Sequence, residues 1–152
     1  MPSLFPGRAG GAAAVLTVLA LISGCGDNKP PTFPVTGKVM FKKNTPAAGA
    51  LVVFHATDPA VEKRIGGKPF AKVKDDGTFA VTTYVEGGGA PEGEYGVTVE
   101  WRGKPKEGAL KIGDGGGGGT LLSDPKYGNP QQPFTKVVIK KSGPNEFQFD
   151  ID

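Results

Sequence analysis

Hydrophobic and polar residues alternate along most of the chain after residue 34. A period of two is typical of a β-strand that buries one face. The clearest example, "EYGVTVEW", places four large residues on one face: Tyr95, Val97, Val99 and Trp101. Shorter runs of the same kind are "PVTGKVMF", "ALVVFHA", "KPFAKVK", "TFAVTTY", "FTKVVIKK" and "EFQFDID". The pattern therefore predicts seven short strands.

The segments between these runs favour turns. The chain contains 25 Gly and 14 Pro, and no stretch shows a helical 3.6-residue repeat, so "DPAVEKRIGG" is predicted to be a loop. Asp75–Gly77 lies between two alternating runs and predicts a tight hairpin turn. Together these features predict an all-β fold over residues 35–152, a seven-stranded antiparallel β-sandwich.

Residues 102–133 do not follow the alternation. They include five consecutive glycines at 115–119, so a Gly-rich flexible loop is predicted, with disorder expected over 113–120. The later stretch "SDPKYGNP" has turn residues around an aromatic side chain. We expect this part to be ordered, with Tyr127 packing back on the sandwich.

The N-terminus carries a different hydrophobic pattern. Ala12–Ile22 is an apolar run of 11 residues, preceded by Arg8 and by no acidic residue. A membrane-spanning helix needs about 20 apolar residues, whereas the central region of a signal peptide has about 7–15. The run ends in Ile22-Ser23-Gly24-Cys25, after which the chain becomes polar and Pro-rich. Residues 1–24 are therefore predicted to be a signal peptide.

This N-terminal tetrapeptide resembles the lipobox of a bacterial lipoprotein precursor. The resemblance implies cleavage between Gly24 and Cys25, a diacylglycerol on the Cys25 sulfur and an acylated amino group. Residues 25–34 would then tether the domain to a membrane of the cell envelope, facing the periplasm or the exterior. An ordinary cleaved signal with a free cysteine, or a buried thiol, remains open as an alternative. Because Cys25 is the only cysteine, no intramolecular disulfide can form.

Several strand segments share a second resemblance. "VTGKVMFKKNTPAAGALVVFH", "DDGTFAVTTY", "GEYGVTVEW", "PKYGNP" and "NEFQFDI" together resemble the carboxypeptidase regulatory-like domain. The resemblance implies a transthyretin-like, or prealbumin-like, Greek-key β-sandwich. None of its signature residues is catalytic, and the zinc domain that accompanies this module in metallocarboxypeptidases has no counterpart in the sequence.

Composition argues against several kinds of chemistry. The net charge is +3 and the basic residues are scattered, so nucleic acid is not a predicted partner. A zinc site needs three or four ligands, but the chain has one histidine, His55, and one cysteine. A hydrolase would have to bring His55 to Ser123 or Ser142, and no G-x-S-x-G motif is present. We therefore predict no catalytic, metal or cofactor site.

The expected function is that of a lipid-anchored, non-catalytic envelope protein that acts in adhesion, as a scaffold or in partner binding. Its membrane contact would be Cys25, and an envelope protein or glycan would bind edge strands or residues 102–133. The alternative is a carbohydrate- or peptidoglycan-binding module, which requires coplanar exposed aromatics. Tyr84 and Tyr127 are the candidates, because Tyr95 and Trp101 alternate with valines and are expected in the core.

Overall fold

A computed structural model of the protein describes residues 29–104 and 119–152. This part of the chain is mostly β, with 42% strand and one short α-helix. The predicted signal peptide, the Gly24–Cys25 cleavage and lipidation site and residues 105–118 lie outside the described residues. Within the described ranges, no helix has the length and apolar character needed to cross a membrane.

Ten strands, one α-helix and one 3₁₀ helix are present in the described residues. In chain order these are β1 Thr32–Phe33, β2 Thr36–Phe41, β3 Thr45–Pro46, β4 Leu51–Ala56, α1 Pro59–Ile65, β5 Phe70–Lys72, β6 Thr78–Ala80, β7 Ala90–Pro91, β8 Gly93–Glu100, the 3₁₀ helix Pro125–Gly128, β9 Thr135–Ile139 and β10 Glu146–Ile151. Each of the seven predicted strands is found. The three additional strands, β1, β3 and β7, have two residues each.

The strands form two four-stranded sheets and one separate pair. In the first sheet, β2 pairs with β10 along one side and with β3 and β6 along the other. The second sheet has the order β5-β4-β8-β9 and is antiparallel throughout. β1 and β7 form the remaining antiparallel pair. Thr32 and Phe33, which lie in the predicted tether, therefore take part in strand pairing.

One sheet contact corrects the prediction of a wholly antiparallel fold: β2 and β10 run parallel. The carbonyl of Asn145 accepts from the Thr36 amide at 3.0 Å, and the carbonyl of Ile151 accepts from the Lys42 amide at 2.7 Å. Parallel pairing is possible because β10 arrives from the other sheet rather than through a hairpin from β2. Apolar and polar residues alternate with the same period in parallel and in antiparallel strands. The sequence pattern therefore does not reveal the direction of β10 relative to β2.

The buried faces of the two sheets meet in one core. Phe54 of β4 lies 6.5 Å from Phe79 of β6 between ring centroids, and Phe79 stacks on Phe149 of β10 at 5.8 Å. The predicted inward residues Val39, Val52, Val97 and Ile139 are fully buried. Each such side chain contributes about 1.5–3 kcal/mol when it leaves water. Because the chain has one cysteine and no intramolecular disulfide can form, hydrophobic packing between the sheets supplies the stability of the fold.

The helix α1 corrects the prediction of a loop over "DPAVEKRIGG". The Asp58 carboxylate caps its N-terminus by accepting from the Ala60 amide at 2.8 Å, and Pro59 opens its first turn. Gly66 ends it with φ of 74°. These are ordinary helix start and stop signals. The helix has only seven residues and buries Ile65 alone, which is too short for a 3.6-residue repeat to appear in the sequence.

The predicted hairpin turn between β5 and β6 is confirmed. Gly77 has φ of 84°, and its amide donates to the Lys74 carbonyl at 2.9 Å. The Asp76 carboxylate accepts from the amide and the hydroxyl of Thr78, at 2.9 and 2.6 Å. These hydrogen bonds lower the pKa of Asp76, because they stabilise its ionised form. The geometry of the turn therefore explains why Asp76 and Gly77 occupy these positions.

Asn145 holds the connection between β9 and β10 in place. Its side chain is buried, and its Oδ1 accepts from the Lys140 amide at 2.9 Å. Its Nδ2 donates to the carbonyls of Lys140 and Pro34, at 3.0 and 3.2 Å. One amide group thus joins the turn after β9 to the start of β2.

We expect Asn145→Ala to lower the free energy of unfolding by about 1–3 kcal/mol, because it leaves buried backbone groups without partners. Urea denaturation of the variant and the parent measures this loss. The matched control is Asn129→Ala, since Asn129 is exposed and its side chain accepts from the nearby Gln131 amide; it should change stability by less than about 0.5 kcal/mol. Equal losses in the two variants would contradict the role of Asn145.

Candidate functional site

The strand directions sort the connections to two opposite ends of the sheets. β4 and β8 are antiparallel, with Leu51 opposite Glu100 and Ala56 opposite Tyr95. We call the two ends the Glu100 end and the Gly93 end, after the limits of β8. At about 3.3 Å per residue, the eight residues of β8 separate them by about 25 Å.

The chain before and after residues 105–118 forms a stem at the Glu100 end. Arg102 and Leu121 make an antiparallel bridge, and the Gly103 amide donates to the Thr120 carbonyl at 2.8 Å. The Leu122 amide donates to the Trp101 carbonyl at 2.7 Å. The two flanks of the segment are therefore hydrogen-bonded neighbours, and its insertion point lies beyond the last residue of β8.

The returning chain packs against the core, as expected for "SDPKYGNP". Asp124 accepts from the Lys126 amide at 2.9 Å and so caps the 3₁₀ helix. Tyr127 is buried and meets Phe134 edge to face, with ring centroids 5.4 Å apart. Its hydroxyl donates to the carboxylate of Asp152, which also lies 3.0 Å from Lys126 Nζ. Asp152, which follows β10, thus fixes this segment at the Glu100 end.

A pocket of about 180 Å³ lies between the end of β8 and this segment. It is lined by Val99, Glu100, Leu121, Ser123, Asp124, Pro125, Gly128 and Asn129. Its polar groups are two carboxylates, a carboxamide and a hydroxyl. Glu100 is paired with Arg102 Nε at 2.5 Å, and Asp124 lies 3.6 Å from Lys126 Nζ. The pocket thus offers hydrogen-bonding groups whose negative charge is balanced by neighbouring cations.

The pocket does not contain the parts of a hydrolytic site. The Ser123 hydroxyl accepts from the Trp101 amide at 3.2 Å and has no contact with His55. His55 lies opposite Gly96, further along β8, and its Nε2 is 2.9 Å from the Thr98 hydroxyl. Among the residues that the structure describes, no group of three His, Cys, Asp or Glu side chains could hold a metal ion. The structure therefore does not bring a nucleophile and a base together here.

The aromatic side chains occupy places that differ in part from the prediction. Tyr95 is buried as expected, and its hydroxyl donates to the Pro91 carbonyl at 2.9 Å; burial raises its pKa to about 12. Trp101 is half-buried against Phe41, with Nε1 donating to the Ala48 carbonyl at 2.9 Å. Both predicted core positions are therefore packed against other residues.

The expectation that Tyr127 is exposed is wrong, because Phe134 covers its ring and Asp152 binds its hydroxyl. Tyr84 is half-buried and follows β6 at the Gly93 end, and its buried hydroxyl has no hydrogen-bond partner among the described residues. Tyr84 and Tyr127 thus lie at opposite ends and cannot form one coplanar surface.

Comparison of the chain with protein-family models, with curated proteins and with solved structures found no match. The geometry of the described residues therefore carries the functional argument. The pocket cannot be predicted from the sequence, because its walls come from two segments separated by residues 105–118. The one local signal was Ser123-Asp124-Pro125, a capping aspartate followed by proline, which is typical of a helical turn.

His55 should make stability depend on pH. Partial burial, and to a lesser degree the charge of Lys68, lower its pKa from the ordinary 6.5, while Glu62 opposes the shift. The native state therefore binds fewer protons than the unfolded state in the window below 6.5. Stability is fully present above that window and falls as the pH drops through it.

We expect His55→Gln to reduce the loss of stability between about pH 7.5 and pH 5, since glutamine does not titrate there. Urea denaturation of parent and variant at both pH values measures the difference. The carboxylates are common to both proteins, so their contribution cancels in the comparison. An unchanged pH dependence in the variant would show that His55 is not responsible.

Proposed function

We propose that this chain is a lipid-anchored, non-catalytic protein of the bacterial cell envelope that presents the Glu100 end of its domain to an envelope protein. One observation carries the proposal: the described chain begins with Lys29 and β1 at the Gly93 end, whereas the pocket and the stem lie at the Glu100 end. An anchor just before Lys29 would leave that pocket facing away from the membrane. This arrangement suits adhesion, scaffolding or partner binding.

The anchor is supported by the sequence before the domain. The apolar run Ala12–Ile22 followed by Ser23-Gly24-Cys25 has the length and order expected of a lipoprotein signal. A single acyl chain binds a bilayer only reversibly, at about 0.8 kcal/mol per buried methylene. Two or three chains on one cysteine would hold the protein stably at the membrane.

For the fold, we propose the transthyretin-like, Greek-key sandwich of the carboxypeptidase regulatory-like domain. Support comes from the seven principal strands, which lie in two sheets around a common core. In the proposed sandwich, β2 and β10 are neighbouring parallel strands.

The non-catalytic part of the proposal is supported by the surroundings of the candidate groups. His55 is hydrogen-bonded to Thr98, and Ser123 accepts from a backbone amide at the other end of the second sheet. A serine nucleophile needs a base within hydrogen-bond reach, held in turn by a third group. No such set is formed by the described side chains.

A second candidate function is binding of carbohydrate or peptidoglycan. The polar lining of the pocket favours it, because carboxylate, carboxamide and hydroxyl groups can all bond to sugar hydroxyls. The aromatic platform that such binding often uses is not formed by Tyr84 and Tyr127. At about 180 Å³ the pocket has room for one ring-sized group of a larger ligand.

The anchor is tested by Cys25→Ser, which removes the sulfur that would be acylated. We expect the variant to move from the membrane fraction to the soluble fraction. Gly24→Ala is the matched control, since it keeps a small residue before the cysteine and should stay with the membrane. Mass spectrometry of the N-terminal peptide gives a second readout. Retention of the Cys25→Ser variant in the membrane would exclude the anchor.

The binding end is tested by photo-crosslinking in the native envelope. A photoreactive residue at Leu122, which is 46% exposed beside the pocket, should give discrete adducts. The same residue at Val138, which is 52% exposed on the outer face of β9, is the control and should give few. An adduct that a peptidoglycan hydrolase digests would favour the second candidate. Equal labelling at both positions would refute a role for the Glu100 end.

A further inference from the structure

The strands β9 and β10 lie on the same side of the domain, each at the edge of its sheet. In the described part of the chain, β9 pairs with β8 and β10 with β2, and neither has a partner strand on its other side. The opposite side is where Phe70 of β5 bridges to Thr82, after β6. β9 runs toward the Gly93 end, and β10 returns toward the Glu100 end. An unpaired edge presents backbone groups to which another strand can bond.

The hydrogen-bond pattern shows which residues face these two edges. The Thr57 amide donates to the Glu94 carbonyl, so even-numbered residues of β8 bond to β4 and odd-numbered ones to β9. The even-numbered residues of β9 therefore face its free edge. In β10, the carbonyls of Asn145 and Ile151 accept from β2, which again leaves the even-numbered residues facing outward.

The side chains of the same even-numbered residues are exposed, and their charge differs between the two strands. On β9 and directly after it they are Lys136, Val138 and Lys140, and on β10 they are Glu146, Gln148 and Asp150. Lysines on an edge oppose its pairing with a copy of the same edge, because like charges would then face each other. The carboxylates have the same effect on β10. The two edges of one domain are instead complementary to each other.

Neighbouring charges inside the domain leave this contrast in place. Lys136 Nζ lies 3.5 Å from Glu94 Oε1, and Lys141 Nζ lies 3.5 Å from Glu92 Oε2. Such exposed ion pairs are weak, and a lysine ammonium has three donors, so Lys136 can also reach a carboxylate across the free edge. Lys38 is an exposed cation on β2, on the side of β10 away from that edge.

We propose that the β9 edge of one chain pairs antiparallel with the β10 edge of a second copy, and that its β10 pairs with β9 of that copy. In the register set by charge, Lys136 lies opposite Asp150, Val138 opposite Gln148 and Lys140 opposite Glu146. A shift by two residues in either direction would place Val138 opposite a carboxylate, and a shift by one would reverse the faces.

The backbone supports the same register, because each of these pairs joins two residues that face an edge. The Asn145 side chain already bonds to the amide and the carbonyl of Lys140. The new hydrogen bonds therefore come from Lys136 and Val138. Both sheets continue into the second copy, so the contact is a closed two-fold one that leaves no free edge on this side.

This pairing also keeps the two domains pointing the same way. β9 and β10 run in opposite directions within one domain, so their antiparallel pairing between copies puts both Gly93 ends on one side. Antiparallel pairing of β9 with β9 would instead turn the two Gly93 ends apart. Two copies anchored through Cys25 in one membrane need the first arrangement, although the pairing itself does not depend on the anchor.

The test is disulfide crosslinking of the full chain in intact cells. Residues opposite each other in a hydrogen-bonded antiparallel pair have Cα atoms about 5.5 Å apart, which suits a disulfide. We expect oxidation with copper phenanthroline to convert Val138→Cys/Gln148→Cys to a covalent dimer with a yield several-fold above that of either single variant. Within one chain the two residues lie on the outer faces of different sheets, so they cannot bond to each other.

Charge reversal tests the register. Lys136→Glu in the double-cysteine background should lower the dimer yield several-fold, and adding Asp150→Lys should restore it. Restoration separates contact between copies from the loss of the Lys136–Glu94 pair within one chain. The matched control is Lys74→Glu, an equal change of charge at an exposed residue near the hairpin turn, and it should leave the yield unchanged.

A double-cysteine yield no higher than that of the single variants would overturn the pairing. Strong crosslinking of Val138→Cys by itself would overturn it in favour of β9 with β9, and a lack of restoration by Asp150→Lys would overturn the register. Dimers of the parent, which carries Cys25, would contradict the anchor, whereas the excess of the double variant over the parent decides the pairing. A photo-adduct at Val138 with twice the mass of the chain supports the pairing and is counted apart from adducts to an envelope protein.

Discussion

The contact between Phe54, Phe79 and Phe149 is the interaction on which the rest of the structure depends. These rings join β4 of one sheet to β6 and β10 of the other, and Phe134 extends the cluster to Tyr127. Without a disulfide, the apolar area that this cluster removes from water is what holds the sheets together. The same cluster positions the segment after residue 119, because Tyr127 reaches the core through Phe134. Stability and the candidate binding end therefore share one set of contacts.

The order of strands gives the domain a direction. β1 and the helix α1 lie at the Gly93 end, and the hairpin turn at Gly77, the stem and the pocket lie at the Glu100 end. This separation follows from antiparallel pairing in the second sheet, which returns the chain to alternate ends. A protein fixed to a surface through its first residues can use such an arrangement to keep attachment and recognition apart.

The seven principal strands could be predicted because large apolar residues alternate with smaller or polar ones, which leaves a period of two in the sequence. The period survives even in β8, where all residues from Tyr95 to Val99 are buried. The helix could not be found in this way, since seven residues with one buried side chain have no period. The sequence nevertheless contains the local signals for the start of this helix, Asp58-Pro59, and for its end, Gly66. The parallel pairing of β2 with β10 and the pocket depend on residues far apart in the chain, so no local pattern reports them. Tyr127 packs back on the core, as its turn context predicts, and so contradicts the expectation of exposure that rests on residue type.

The stem formed by Arg102 and Leu121 has a consequence for how the domain tolerates change. Because the chain leaves and returns at hydrogen-bonded neighbours, the length of the segment between Lys104 and Gly119 is decoupled from the register of every sheet. Loop-closure entropy grows only with the logarithm of length, by about 0.6 kcal/mol for each doubling. This position is therefore where related chains could gain or lose whole peptides, and where an epitope or a fluorescent protein could be spliced in, while the two sheets remain as they are.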